Sequence, residues 1–295
     1  MPYSHLLVVL LICVVWGINF LTSAAALQQF PPLLFTALRL ALVGVLMLPW
    51  LKAPTSRQWL RLALVCLCNG TLHFGLSFWA LREAGNLASP AIVMQSYIPM
   101  AALLAVIFLG ERIGWRTGLG IAISFAGVLV LGFDPLVLSA PHSLLLMLAS
   151  ALSLAVGTVL MRDLRDLHPF TLQAWSAVTG LPLLLVASWL IEGDPWPAIG
   201  AADTVAWAGV AYAGLFASVL GHGLFFWLVQ RHPVSRITPY LLLTPLIAVL
   251  LGVLFWGDRP GPRLLLGGAM VLGGVLVIAL RARSKARTVV EPAEA

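Results

Sequence analysis

The sequence is poor in charge. Of its 295 residues only 9% are Asp, Glu, Lys or Arg, whereas 61% are hydrophobic; a soluble domain carries about 25% charged residues. So few charges cannot coat a water-soluble globule of this size. The apolar residues form long runs, several of which approach the roughly 20 residues that span a bilayer as a helix. A β-barrel would show alternating segments of about ten residues, so the composition predicts an all-α polytopic membrane protein.

Cysteine is scarce as well. The three thiols, Cys13, Cys66 and Cys68, all fall inside apolar runs. Cys66 and Cys68 are two positions apart, so on a helix they face different directions and make a poor metal pair. The sequence also contains no nucleotide-binding loop. It therefore predicts no metal site, no cofactor and no use of ATP.

Ten apolar runs are predicted to cross the membrane, with connections too short to hold a soluble domain. They cover about residues 5–25, 33–51, 60–81, 88–109, 116–133, 143–161, 169–190, 204–230, 235–256 and 262–281. The first run could instead be a signal peptide, because Ala24, Ala25 and Ala26 mimic a cleavage site. No Lys or Arg precedes it, which a signal peptide needs, so we keep it as a span.

The basic residues predict the orientation. With both termini in the cytoplasm, thirteen of the 17 Lys and Arg residues fall on the inner side and three on the outer side, and Arg39 remains within the second span. Basic loops mark the cytoplasmic side. The net charge of +6 is therefore attributed to topology and to contact with anionic lipid, and no nucleic-acid partner is expected.

The chain repeats itself at half its length. "GLSFW" at 75–79 matches "GLFFW" at 223–227, and Gly110-Glu111-Arg112 matches Gly257-Asp258-Arg259. Arg116–Val130 and Arg263–Val277 share eight of fifteen residues at an offset of 147. Several matches at a nearly constant offset indicate a duplication. We predict one five-helix repeat over 1–135, a second over 136–282, and a disordered cytoplasmic tail over 283–295.

An odd number of spans per repeat predicts that the second repeat enters the membrane upside down. Inverted repeats are an architecture of secondary transporters, in which the substrate site lies near the midplane between the halves. Exchange of conformation between two such halves would turn an outward-open cavity into an inward-open one. The fold expectation is therefore ten transmembrane helices in two inverted five-helix repeats.

Several motifs resemble one superfamily. The stretch Trp16, Gly17, Asn19 and Phe20 ("WGxNF"), Pro99 in the fourth span, "LGER" at its end and the Gly-rich fifth span resemble the drug/metabolite transporters. The chain looks like a ten-span member with two EamA-type repeats and is most similar to the aromatic amino acid exporter branch. The Trp-Gly-Asn element has no copy near Leu154–Thr158. The resemblance implies export of small metabolites across a bacterial inner membrane.

Ionisable residues within the spans are few. Arg39 lies about seven residues beyond Pro32, within about two helical turns of the outer end; it could snorkel, pair inside the bundle or contact a substrate carboxylate. His73 and His222 lie well inside the third and eighth spans. Each could be a neutral residue hydrogen-bonded to a neighbouring helix, or a contact or proton relay that lines the cavity.

The other candidates are polar and aromatic residues and two helix breaks. Kinks at Pro99 and Pro245 would free backbone groups that suit the two ends of a zwitterion. The tryptophans could alternatively anchor at the interface or pack in the core. The proposed cavity-lining residues are Trp16, Asn19, Trp79, Gln95, Tyr97, Trp227, Tyr240 and Thr244.

The absence of Asp and Glu from the middle of every span bears on mechanism. Small multidrug transporters of the same superfamily use a glutamate in the first span, and this chain has none there. We therefore expect a facilitative exporter of amino acids or similar small metabolites, acting as a monomer. The alternatives are a transporter of a lipid carrier or nucleotide sugar, and a membrane-embedded enzyme that uses His73 and His222.

Overall fold

The protein is all-helical in the part of the chain that its computed structural model describes. That part comprises residues 2–110, 113–164, 166–229, 231–232 and 234–290. Ten of its helices are long and apolar enough to cross a membrane, which confirms the number of spans expected from the sequence. Glu111, Arg112, Arg165 and the end of the predicted tail, 291–295, lie outside the described residues.

The ten helices, numbered α1 to α10, agree with the predicted spans to within a few residues. They are α1 Tyr3–Ala26, α2 Pro32–Trp50, α3 Ser56–Ala84, α4 Ala88–Leu109, α5 Trp115–Gly132, α6 Pro141–Leu160, α7 Pro169–Ile191, α8 Thr204–Phe225, α9 Pro239–Trp256 and α10 Pro262–Arg281. Short helices at Pro135–Leu138 and Trp196–Ala201 lie in the connections.

The tail departs from the expectation of disorder. The helix that contains α10 continues to Val290, so residues 283–290 are helical rather than irregular. Half of the segment, Arg283, Lys285, Ala286 and Arg287, consists of good helix formers. It also extends a helix that already exists, so the unfavourable nucleation step is avoided.

Two helices are broken at equivalent positions of the two repeats. Helix α4 consists of Ala88–Met94 and Tyr97–Leu109, separated at Gln95 and Ser96. In α9 the corresponding break is at Leu242, before the segment Leu243–Leu251. Each break precedes a proline, Pro99 or Pro245, by a few residues. Proline lacks an N–H and its ring clashes with the carbonyl four residues back, which explains both breaks.

Helices α3 and α8 share a second irregularity. Cys66–Leu72 in α3 and Tyr212–Gly221 in α8 are π-helical, with hydrogen bonds from residue i to i+5. These stretches occupy equivalent positions in the two repeats, and each ends directly before a histidine, His73 or His222. Such stretches recur at functional sites in other proteins. No sequence pattern predicted them.

Helices α5 and α10 pack backbone against backbone through glycines. Gly120 lies against Gly274, and Gly127 against Gly267. Gly120 is equivalent to Gly267 in the repeat, and Gly127 to Gly274. When each residue is replaced by its equivalent, the contact between Gly120 and Gly274 becomes the contact between Gly267 and Gly127, which is also observed. This is the pattern expected when a two-fold axis passes between two helices. Small residues allow this close approach of helices in a membrane.

Contacts between connections sort the loops onto two sides. On one side, the Gln29 face, the Gln29 side chain bonds the backbone of Asp203, Trp256 bonds Gly85, and Arg263 bonds Phe133. On the opposite side, the His5 face, His5 bonds His232, Trp175 bonds Lys52, and Arg61 pairs with Asp163. Each of the two sets joins segments of the first repeat to segments of the second.

The glycine interface gives a stability prediction. A Cβ at Gly127 would lie 2.6 Å from the Gly267 carbonyl oxygen and 2.7 Å from the Val271 nitrogen. In Gly127→Ala, α5 and α10 must therefore move apart, and overpacking of this kind costs about 1–3 kcal/mol. We expect thermal unfolding in detergent to occur at a lower temperature than in the wild-type protein.

Gly118→Ala is the matched control on the same helix, because a Cβ there meets no atom within 4 Å. Alanine also has the better helix propensity, so this variant should melt at or slightly above the wild-type temperature. Equal melting temperatures for the two variants would contradict the close packing of α5 on α10.

Candidate functional site

Arg39 is a buried cation in the middle of the helical bundle. Its side chain is only 3% exposed. Nε donates hydrogen bonds to Ser218 Oγ at 2.9 Å and to the Ala213 carbonyl at 3.3 Å. Among the described residues no carboxylate lies within ion-pairing distance of it, and Nη1 has no hydrogen-bond partner. Transfer of an unpaired charge out of water is costly, so this arrangement favours an anionic partner from outside the chain.

Aromatic rings supply part of the compensation. The guanidinium carbon lies 3.7 Å from the centroid of the Phe74 ring and 5.6 Å from that of Phe78, both on α3. A desolvated cation–π contact is worth about 2 kcal/mol, which is less than the cost of burying the charge. Arg39 therefore joins α2 to α3 and α8 while retaining an uncompensated N–H.

The π-helical stretch of α8 provides the acceptors that Arg39 uses. The Ser218 hydroxyl donates to the Ala213 carbonyl at 2.6 Å, so its oxygen is free to accept from Arg39. The Ala217 carbonyl accepts from Trp16 Nε1 at 3.1 Å and from His222 Nδ1 at 3.0 Å. Carbonyls of the π-helical stretch thus accept from side chains of α1 and α2 and from His222 of α8 itself.

Trp16 and His222 are brought together at this stretch. Their ring centroids are 5.1 Å apart. Because a carbonyl can only accept, the bond to Ala217 requires that His222 Nδ1 carries the proton. A Cβ at Gly221 would lie 2.5 Å from Trp16 Nε1, so this glycine makes room for the indole. Trp16 and His222, which were predicted separately to line the cavity, therefore form a contact between α1 and α8 and so between the two repeats.

His73 has a different environment. It is buried, and its Nδ1 lies 2.9 Å from Ser150 Oγ on α6. The Ser150 hydroxyl in turn donates to the His73 carbonyl at 2.8 Å. Since the hydroxyl has one proton, Nδ1 of His73 must donate to it. His73 therefore makes a two-bond link between α3 and α6.

Trp79 and Trp227 lie far apart. The Trp79 indole donates to Glu83 at 3.1 Å, within α3 and close to the Gln29 face. The Trp227 ring makes an edge contact with His5 at 5.0 Å, and the guanidinium of Arg231 stacks over it at 4.1 Å. Trp227 thus belongs to the His5 face, and the structure does not bring the two tryptophans into one site.

The remaining predicted residues are dispersed. Asn19 accepts a hydrogen bond from Ser23 in its own helix at 3.4 Å. Gln95 is half-buried at the break of α4, and Tyr97 is half-buried at the start of the next segment. The Tyr240 side chain is exposed at 37%. Thr244 is buried on α9, and its hydroxyl has no partner among the described residues.

Three residues at the site were not predicted from the sequence. They are Phe74, which stacks on Arg39, Ser218, which accepts from it, and Gln173 on α7, whose amide donates to the Ser218 carbonyl at 3.0 Å. Gln173 had a usable signal, because it is an amide in an apolar run. Phe74 and Ser218 had none, since both residue types are ordinary in membrane helices.

Carboxylates fasten the two repeats together on the Gln29 face. Glu192, at the end of α7, accepts from the backbone N–H groups of Leu33 and Leu34 at 2.7 and 3.1 Å. Asp258, after α9, accepts from those of Leu87 and Ala88 at 2.9 and 3.0 Å. Each acid thereby caps the N-terminus of a helix in the other repeat, where free N–H groups and the helix dipole favour negative charge. We call Glu192 and Asp258 the carboxylate latches.

Within the described part of the chain, no group of three or more His, Cys, Asp or Glu residues is arranged to hold a metal ion. The observed contacts of Arg39 are hydrogen bonds from a charged group and aromatic stacking. Groups of this kind bind and orient a small solute.

Comparison with known proteins identifies the family. The model of the EamA-like transporter family matches residues 4–133 and again 142–280. The chain belongs to the EamA-like transporter family. It is therefore a transporter rather than an enzyme, and the drug/metabolite transporter resemblance seen in the sequence is confirmed.

Individual relatives agree with this assignment. The chain is 28% identical to the "Probable amino-acid metabolite efflux pump" of Salmonella typhimurium, over 94% of this chain and 96% of that protein. It is 26% identical to the "Uncharacterized inner membrane transporter YedA" of Escherichia coli, over 95% and 92%. A crystal structure with 22% identity shares the fold, with a TM-score of 0.64 over 96% and 99% of the two chains. Ten spans and these relatives make this EamA-like transporter a multi-pass inner membrane protein.

The link between His73 and Ser150 gives a prediction for this transporter. Ser150→Ala removes the acceptor of a buried Nδ1–H group, and a buried donor without a partner costs about 1–3 kcal/mol. We expect a lower melting temperature in detergent. Ser139→Ala is the control, because this exposed hydroxyl bonds only the Leu136 carbonyl three residues back. If both variants melt at the temperature of the wild-type protein, the hydrogen bond from His73 to Ser150 does not stabilise the fold.

Proposed function

We propose that this EamA-like transporter exports amino acids or similar small metabolites by alternating access, without ATP. The observation that carries the proposal is the uncompensated N–H of Arg39, buried where α2, α3 and α8 meet. A carboxylate is the natural partner of such a group. The name of the Salmonella relative, an amino-acid metabolite efflux pump, supports the same class of substrate.

We propose that the two halves, 1–135 and 136–282, are inverted repeats that exchange conformation. Four observations support this: the two family matches, the equivalent breaks of α4 and α9, the equivalent π-helical stretches of α3 and α8, and the exchanged glycine contacts of α5 and α10. An interface between two such halves is where transporters of this kind place their substrate. Arg39, Trp16 and His222 all bridge helices of different halves.

Facilitative transport fits the distribution of charge. The acidic residues of the described helices lie at their ends or in connections, so no carboxylate is present in the middle of a described span to carry a proton. His73, which is buried, and His222, which is half-buried, each donate from Nδ1 to an oxygen of the chain. We therefore propose that the substrate gradient drives export. Arg39, Trp16 and His222 would contact substrate, whereas Trp79 and Trp227 would line opposite ends of the pathway.

The carboxylate latches define the proposed gate. We assign the Gln29 face to the outside, because the basic residues concentrate on the opposite face. The latches Glu192 and Asp258 hold the two halves together on that outer face through helix N-termini. The structure would then represent a state that is closed to the outside, and opening would require both latches to break.

The first test is a substrate screen. Purified protein in liposomes is tested with each of the twenty labelled L-amino acids, without ATP and with or without a pH gradient. We expect at least one to equilibrate faster than in empty liposomes, at a rate that the pH gradient leaves unchanged. Uptake of none would overturn the amino acid assignment, and stimulation by a proton gradient would overturn facilitative transport.

The second test concerns the gate. Asp258→Asn and Glu192→Gln together weaken two helix caps, each worth about 1 kcal/mol. The outward-open population should rise roughly tenfold or more. In a background without Cys13, Cys66 and Cys68, a reporter at Ser77→Cys should react correspondingly faster with an impermeant maleimide added outside, because Ser77 is buried on α3 between Phe74 and Phe78.

The matched control for the gate is Glu83→Gln. Glu83 lies on the same face, but its one hydrogen bond stays within α3. Its replacement should leave the labelling rate of the Ser77→Cys reporter unchanged. Equal rates in the latch variant and this control would show that the latches do not close the pathway.

A further inference from the structure

Two side chains from different helices converge on Ser218. Arg39, on α2, donates from Nε to the Ser218 hydroxyl at 2.9 Å. Gln173, on α7, donates from Nε2 to the Ser218 carbonyl at 3.0 Å. The hydroxyl and the carbonyl belong to one residue, so the ends of Arg39 and Gln173 are held close to the same point of α8.

Each of these side chains keeps one unpartnered polar atom. Arg39 Nη1, a donor, and Gln173 Oε1, an acceptor, are both inaccessible to solvent and have no hydrogen-bond partner. Buried polar groups are nearly always satisfied, and an exception calls for an explanation. A charged donor and a neutral acceptor that are left over on two side chains bonded to the same residue, Ser218, form a complementary pair for a ligand that carries an acceptor and a donor together.

Resting on the proposed function, we propose that Arg39 and Gln173 bind the two ends that all α-amino acids share. The substrate carboxylate accepts a hydrogen bond from Arg39 Nη1, and the substrate ammonium donates one to Gln173 Oε1. Ser218 is the positioning residue, because its hydroxyl and carbonyl hold both side chains. The class of substrate is thus an α-amino acid rather than an amine or a simple carboxylic acid.

The surroundings of Arg39 fit this role. Phe74 and Phe78 cover a face of the guanidinium, while N–H groups point outward in its plane. The rings therefore fix the guanidinium without occupying Nη1. A bond between a guanidinium and a carboxylate is also among the stronger hydrogen bonds in proteins, which suits the anchoring of a substrate in an otherwise apolar bundle.

The site occurs once in the chain, although the fold is repeated. At the offset of 147, the equivalent of Arg39 is Val186 and the equivalent of Gln173 is Ala26. Neither could supply the missing hydrogen bond. A duplicated scaffold with one polar pair predicts a single amino acid bound per transporter.

The test uses three compounds that differ in one end each: L-phenylalanine, 3-phenylpropanoate, which lacks the ammonium, and 2-phenylethylamine, which lacks the carboxylate. Unlabelled compounds compete with labelled L-phenylalanine for uptake into proteoliposomes. In the wild-type protein each analogue should compete roughly tenfold or more weakly than L-phenylalanine, because it leaves one buried group unpartnered. If the screen finds another amino acid but not phenylalanine, its own acid and amine replace these two.

The variants separate the two contacts. In Gln173→Leu, L-phenylalanine should bind only as tightly as 3-phenylpropanoate does, and the affinity for 3-phenylpropanoate should be the same as in the wild-type protein. Arg39→Gln should lower the affinity for both compounds that carry a carboxylate, L-phenylalanine and 3-phenylpropanoate. The controls Gln28→Leu and Arg82→Gln alter exposed residues outside the site and should preserve all three affinities, and melting temperatures in detergent should show that every variant is folded.

The outcomes distinguish this inference from the proposed function. If the wild-type protein takes up no amino acid, the proposed function itself fails. If it takes up amino acids but Gln173→Leu still prefers the amino acid over the acid by the wild-type factor, the ammonium contact is wrong while the function stands. If a Gln173→Leu protein is unfolded, equal competition by L-phenylalanine and 3-phenylpropanoate in the wild-type protein would overturn the same contact.

Discussion

A guanidinium without a counter-ion, held among ten apolar helices, is the constraint on which the centre of this transporter depends. Arg39 cannot be deprotonated at neutral pH, and desolvation of its charge is costly. The chain compensates in two ways, with aromatic rings of α3 and with oxygen atoms of α8. Both helices are therefore tied to α2, and the compensation is left incomplete at Nη1.

The irregular backbone of α8 makes this compensation possible. In a regular transmembrane helix every carbonyl of the interior is bonded within the helix, because lipid offers no partner. The π-helical stretch over Tyr212–Gly221 changes that pattern and presents the carbonyls of Ala213 and Ala217 to other helices. Arg39 and Trp16 bond there from other helices, and His222 bonds there from α8 itself. The polar centre thus arises from a local defect in one helix, and the small residues around Gly221 admit the side chains that exploit it.

The sequence predicts the scaffold well and the centre poorly. Run length and hydropathy predict ten spans because a membrane helix must be long and apolar. Pro99 and Pro245 predict the breaks of α4 and α9 because proline cannot complete the helical bonding. The contacts of Arg39 could not be predicted in this way. They depend on which helices are neighbours and on a π-helical stretch without a sequence signature, so Phe74 and Ser218 looked like ordinary membrane residues. Residues 283–290 are polar, which predicts disorder, but they prolong a helix that is already formed and so avoid the nucleation step.

Symmetry and its violation have different consequences in this fold. The glycines of α5 and α10 and the two broken helices are repeated, and they shape the backbone that the proposed cycle would exchange between halves. Arg39 and Glu192 have no equivalents, since the corresponding residues are Val186 and Val45. Two identical halves would make the outward-open and inward-open states equal in energy. Polar residues that occur in only one half remove that equality. Glu192 adds hydrogen bonds on the Gln29 face alone, and Arg39 offers its free N–H from one half alone. In such a transporter the repeat would supply the outward-open and inward-open states. The residues that occur in only one half would set the relative energies of these states and the position of the substrate.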